Sequence, residues 1–157
     1  MTFHKLLIAN RGEIACRIIK SAHDMGISCV AVYVDADADS LFVKQADEAI
    51  RLSDSYLNSK EIISAAQSTG AQAIHPGYGF LSENAKFSRD VLKEGLIWVG
   101  PNSRVITSMG DKLKAKVLAE KAGVPTLPMT TDPKKAGSIG FPVLIKAAAG
   151  GGGKGMR

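Results

Sequence analysis

The stretch Lys5–Val34, KLLIANRGEIACRIIKSAHDMGISCVAVYV, decides the fold. It opens on Lys5 to Ala9, a short run apolar after its first residue, which reads as a first strand. Asn10, Arg11 and Gly12 interrupt that run. From Glu13 the apolar residues change period: Ile14, Ile18, Ala22 and Met25 fall at i, i+4, i+8 and i+11, one face of a helix. Gly26 supplies the helix stop. Ser28 to Val34 is continuous and β-branched, as a strand buried on both faces would be.

The alternation continues beyond this unit. An acidic loop, Asp35–Asp39, precedes a short helical turn at Leu41–Gln45 and an extended piece at Ala49–Leu52. Ser59 is placed to cap a helix that ends at Gly70. Ala71–His75 is extended and stopped by Pro76-Gly77. A helix over Glu83–Glu94, a strand over Leu96–Val99 and helices over Ser103–Met109 and Lys112–Ala122 follow. Strands alternating with helices predict an α/β fold in three layers, a parallel sheet covered on both faces, up to about residue 100. After Gly123 the character changes. Val124–Pro133 holds three prolines and three threonines and cannot be one helix. Phe141–Ala147 reads as a fresh strand. These shifts place a domain boundary near residues 101–115, dividing the chain into 1–110 and 111–157.

Composition excludes several classes. The 157 residues are 45% hydrophobic and 22% charged, which argues against a disordered tail or a disulfide scaffold. No apolar stretch approaches the length of a membrane span, and the N-terminus lacks the pattern of a signal peptide. The two cysteines, Cys16 and Cys29, show no Cys-x-x-Cys spacing, and no Cys/His ligand cluster is visible in the sequence. They read as reduced, buried thiols of a cytoplasmic or organelle-matrix protein. The net charge of +5 is uneven: residues 1–100 hold 10 Lys and Arg against 12 Asp and Glu, and residues 101–157 hold 10 against 3. That basic final third is either a solvated lysine-rich surface or the partner of an anion. Nucleic acid is disfavoured, because no aromatic residues interleave the basic ones and no nucleic-acid motif appears. Of the 16 glycines, five fall in the last eight residues.

Four turns carry the chemistry-bearing residues. Ala9-Asn10-Arg11-Gly12-Glu13 sits where a nucleotide-binding fold holds its glycine fingerprint. Only Gly12 is present, so the pyrophosphate cradle is missing and Gly12 reads as a tight-turn residue. His75–Asn84, HPGYGFLSEN, lies at the carboxyl end of a strand, the edge where open α/β sheets bind ligands. It is either a plain connection or part of a site. Gly110-Asp111-Lys112 opens a helix with Asp111 as N-cap. Lys112 then stands in the first turn, where the helix dipole disfavours a cation, and it either points to solvent or meets a polyanion.

The fourth segment, Phe141–Arg157 (FPVLIKAAAGGGGKGMR), is the most specific. Lys146 on a strand is an edge residue or reaches an anion. Gly150, Gly151, Gly152, Gly153 and Gly155 let backbone N–H groups approach a phosphate without Cβ obstruction, and Lys154 adds a cation. It is not a P-loop, because Gly155 follows Lys154 where Ser or Thr should stand.

Together the segments Ile8–Ala15, His75–Asn84, Val99–Pro101, Met109–Lys112 and Phe141–Arg157 resemble, in order and over nearly the whole chain, the N-terminal part of a biotin carboxylase. That family is the ATP-grasp component of biotin-dependent carboxylases. The resemblance implies a Rossmann-like N-terminal domain followed by the beginning of an ATP-grasp domain. It implies a reaction in which MgATP activates bicarbonate and the carboxyl group passes to biotin on a carrier protein. It assigns Lys112, Lys146, Gly150–Gly153, Lys154, Gly155 and Met156 to ATP, and Tyr78 to the biotin and bicarbonate side. The Mg2+ ligands and catalytic residues are expected beyond Arg157, so none is assigned in this chain, which is expected to be an inactive fragment by itself. The implied partners are ATP, bicarbonate, a biotinylated carrier, a carboxyltransferase and a second copy of the full-length protein. The helix bearing Lys20 and Asp24 matches the region that helps form that homodimer. An acyl-CoA acceptor is a looser implication. Competing readings are another ATP-grasp ligase, of the carbamoyl-phosphate synthetase type, and a non-catalytic nucleotide-binding module.

Overall fold

The computed structural model describes residues 3–146, with the backbone alone for Lys112. The chain divides into two compact units, Met1–Thr107 and Ser108–Arg157.

In the first unit, β1 (Lys5–Ile8), α1 (Gly12–Asp24), β2 (Ser28–Tyr33), α2 (Leu41–Gln45), β3 (Glu48–Arg51), α3 (Ser59–Ser68), β4 (Ala73–His75), α4 (Ala85–Lys93) and β5 (Ile97–Trp98) alternate along the chain. The five strands form one sheet in the order β3-β2-β1-β4-β5, every neighbouring pair parallel. β1 is central, with Leu7 opposite Val30 on one side and Ile74 on the other.

Alternate residues of the strands face opposite layers. Leu6, Ile8, Cys29 and Ala31 pack against Ala15, Ile18, Ile19 and Ala22 of α1 and Phe42 of α2. Leu7, Val30, Val32 and Ile74 pack against Ile62 and Ala66 of α3 and Phe87 and Val91 of α4. Ile106, from α5 (Ser103–Gly110), completes this second layer. Burial on both faces explains why β1 and β2 read as continuous apolar runs. The expected α/β three-layer sheet is therefore the architecture found.

Several local expectations shift by a residue or two. Met25 lies outside the buried stripe of α1 and is 73% exposed, because it is the C-cap where the chain leaves the helix for Gly26 at φ +71°. The cap of α3 is Asn58 rather than Ser59: its side-chain oxygen accepts from Glu61 N–H, and a carboxamide reaches that donor as well as a hydroxyl. Likewise α4 starts at Ala85, with Asn84 accepting from Phe87 N–H, and not at Glu83.

The second unit holds α6 (Lys112–Lys121), a 3-10 turn at Pro133–Lys135 and α7 (Ala136–Ile139). None of its described side chains is buried. The strand expected over Phe141–Ala147 is not present in the described part of that segment, residues 141–146, which joins no ladder. Apolar sequence alone does not make a strand: the backbone groups need a partner strand, and none of the described residues supplies one.

Candidate functional site

The strand order reverses beside β1. The chain lays down β2 and β3 on one side and then crosses to place β4 and β5 on the other. At such a switch point the loops leaving neighbouring strands diverge, and ligands bind in the crevice outside the carboxyl ends. The two loops here are residues 9–12, after β1, and residues 76–84, after β4.

One side chain ties them together. Asn10 is 2% exposed. Its Nδ2 donates to Pro76 O at 2.7 Å and to Tyr78 O at 2.8 Å, while its Oδ1 accepts from Arg11 N–H at 2.9 Å. A buried amide with both donor hydrogens and its acceptor engaged fixes the two loops in register. Gly77 is required by that closeness: it sits at φ +63°, and a Cβ there would lie 2.6 Å from Asn10 Nδ2. Half-buried His75 accepts Gly77 N–H on Nδ1 at 3.0 Å. Burial, aided by the charge of Arg17, holds its pKa below the ordinary value. A ring nitrogen that accepts carries no proton, so the ring N–H sits on Nε2.

This frame presents Tyr78, which is 60% exposed. Its hydroxyl donates to the Glu13 carboxylate in the first turn of α1. The bond lowers the Glu13 pKa and, with the carboxylate's charge, raises that of the phenol. Two further residues lock the rim. Arg11 Nε donates to buried Asp37 at 2.6 Å, and Tyr56 OH donates to the same carboxylate at 2.6 Å. The Arg11 bond chiefly holds Asp37 below the usual carboxylate range, whereas burial pushes Tyr56 up to about 12. The polar groups of the β1 turn thus serve as anchors.

In the second unit, Asp111 caps α6 by accepting from Leu113 N–H at 3.0 Å and Lys114 N–H at 3.1 Å. Those two helix donors are engaged by the chain's own carboxylate, so an anion here would meet lysine side chains rather than these N–H groups. Lys112 is the first residue of α6, and Lys146 is exposed. Gly150, Gly151, Gly152, Gly153, Lys154, Gly155 and Met156 lie outside the described residues.

Sequence reasoning missed Asn10 and Asp37. Asn10 stands directly after a buried strand, but no local pattern announces a partner 66 residues away. Asp37 sits in a segment that reads as an acidic loop; it is a 3-10 turn whose last residue points inward. Folding also makes neighbours of His23, Cys29 and Asp47, which are far apart in sequence.

Known proteins identify the family. The family model for the biotin carboxylase N-terminal domain matches residues 2–106, and that for the ATP-binding domain of the carbamoyl-phosphate synthase L chain matches residues 111–157. The propionyl-CoA carboxylase alpha chain of Ruegeria pomeroyi is 52% identical over 99% of this chain, which spans 25% of that protein. The biotin carboxylase domain of Hydrogenobacter thermophilus 2-oxoglutarate carboxylase, solved with MgADP, ADP and bicarbonate as a dimer, superposes with TM-score 0.90 at 45% identity, covering 100% of this chain and 37% of that one. The Campylobacter jejuni biotin carboxylase, solved as a β,γ-ATP complex, gives TM-score 0.91 at 44% identity over 99% of this chain and 38% of its own. With two thirds of its length in the first of those matches, this chain belongs to the biotin carboxylase N-terminal domain family.

Proposed function

We propose that this chain supplies the N-terminal domain and the opening of the ATP-binding domain of a biotin carboxylase. The complete enzyme would use MgATP and bicarbonate to carboxylate biotin on a carrier protein. The observation that carries this reading is the succession of two family matches in one chain, 2–106 and then 111–157. The second match is shared by description with carbamoyl-phosphate synthases; the first is not, and it separates the two kinds of ligase.

Residues 1–110 form the scaffold domain and residues 111–157 begin the ATP-binding one. Lys112 and Lys146 place ammonium charge against the ATP phosphates, where developing charge on a transferring phosphoryl group needs fixed cations. Gly150–Gly153 and Gly155 offer backbone N–H donors to the same oxygens, Lys154 adds a cation, and Met156 lines the nucleotide pocket. Tyr78, held by Asn10, Gly77 and Glu13, lines the biotin and bicarbonate side. Mg2+ would offset phosphate charge, and no residue of this chain is assigned to it. The exposed Lys20–Asp24 pair of α1, 2.6 Å apart, lies on the face that would meet a second copy. The acyl acceptor is assigned to the CoA-ester class on the identity with propionyl-CoA carboxylase; a biotinylated carrier and a carboxyltransferase complete the cycle in the cytoplasm or an organelle matrix.

A chimera tests the reading. These 157 residues replace the aligned part of the Campylobacter jejuni enzyme, and ATP hydrolysis is followed. The expected result is bicarbonate-dependent hydrolysis that free biotin stimulates. A folded chimera whose ATP hydrolysis ignores both additions would overturn it.

A further inference from the structure

We propose that His23, Cys29 and Asp47 form a binding site for one borderline divalent cation of the Zn2+ class. The three come from separate elements: the last turn of α1, the middle layer at β2, and the residue before β3. One ligand atom from each lies within 4.8 Å of the others. His23 Nε2 stands 2.9 Å from Asp47 Oδ2. Asp47 is already fixed in place, accepting Cys29 N–H at 2.7 Å and donating its own N–H to Cys29 O at 3.0 Å. The Cys29 thiol makes only a long contact with Ile27 O, 3.8 Å, among the described residues.

Nitrogen, sulfur and oxygen donors together select a borderline ion over Mg2+ or Ca2+. At ordinary Zn–N, Zn–S and Zn–O lengths, tetrahedral ligand atoms sit about 3.5 Å apart. The present spacing, within 4.8 Å, is wider than that by about 1 Å at most. Charge also balances: one thiolate and one carboxylate offset a divalent ion, and the imidazole enters neutral. On binding, the Cys29 S–H proton passes to solvent, the proton that His23 Nε2 shares with Asp47 moves through solvent to Nδ1, and a sulfur–metal bond forms, while His23 Nε2 and Asp47 each donate a lone pair; nothing is oxidised. A depression of about 210 Å³, lined by His23, Gly26, Ile27, Ser28 and Asp47, opens to solvent beside two of the three ligands. Lys20, nearby on α1, does not oppose the ion, since its charge is paired with Asp24 at 2.6 Å. Occupation would clamp the end of α1 to β2 and β3.

The test uses the 157-residue chain, stripped with chelator and titrated with Co2+ as an optical probe. Expected are one ion per chain and a thiolate-to-cobalt charge-transfer band that Zn2+ abolishes. C29S removes the band, whereas C16S, at the other thiol, keeps it. H23A and D47A, at partly exposed positions, weaken binding by more than about tenfold, the cost seen even for outer-shell partners. Circular dichroism confirms that each variant is folded. Absence of the band in the folded parent chain, its persistence in C29S, or undiminished affinity in both H23A and D47A overturns the proposal.

Discussion

Replacing Gly77 by alanine probes the junction that holds the candidate site. Two costs add. A non-glycine residue at φ +63° loses about 1–2 kcal/mol. The new Cβ would also sit 2.6 Å from Asn10 Nδ2 and 2.9 Å from its Cγ. Asn10 is buried and cannot swing into solvent, so it must give up a bond to Pro76 O or Tyr78 O. An unmade buried hydrogen bond costs about 1–3 kcal/mol. G77A is therefore expected to destabilise the first unit by about 2–5 kcal/mol in all. Gly79 is the internal control, with the same φ of +63° and nothing within 4 Å of its notional Cβ. G79A carries the backbone term alone, about 1–2 kcal/mol. Urea unfolding read by Trp98, the single tryptophan and a core residue, measures both. In an N10A background most of the excess cost of G77A should vanish, because only the Asn10 Cβ, at 3.0 Å, remains. Equal destabilisation by G77A and G79A, or an excess unchanged by N10A, would show that Asn10 does not set the need for glycine at position 77.

Three further outcomes are expected. Asp37 has a folded pKa below its unfolded value, chiefly through Arg11, so its contribution is full above about pH 4 and is lost as pH falls through the folded pKa; D37N should flatten the acid limb of the stability–pH curve, and an unchanged limb would count against the network. N58A should cost about 1 kcal/mol and S59A under about 0.5 kcal/mol in thermal unfolding, reporting which residue caps α3; the reverse order would return the cap to Ser59. In the chimera, K112M and K146M should each lower kcat/KM for ATP by roughly 10–100-fold, the loss of one charged hydrogen bond to phosphate; variants kinetically equal to the parent would remove those lysines from the nucleotide site.

The layers of the sheet were legible because burial on both faces leaves a periodic record. Leu6 to Ala9 and Ser28 to Val34 announce central strands, and Ile18 and Ala22 announce the inner face of α1. Exact caps were less legible, since Asn58 and Ser59 both accept hydrogen bonds and only backbone geometry chooses between them. In the candidate site, Tyr78 and its glycines stood out by composition. Asn10 did not, because its partners arrive through sheet topology rather than local spacing. The His23–Cys29–Asp47 group was hidden for the same reason: parallel pairing of β2 with β3 brings residue 47 beside residue 29. The segment 141–146 failed as a strand because periodicity reports burial and not whether a ladder partner exists.

Carboxyl transfer to biotin is the activity proposed for the complete enzyme. Its most direct measurement is the incorporation of radiolabelled bicarbonate into free biotin by the purified chimera, with and without ATP. ATP-dependent labelling of biotin that K146M strongly reduces is expected. A folded chimera that hydrolyses ATP with bicarbonate yet leaves biotin unlabelled would contradict it.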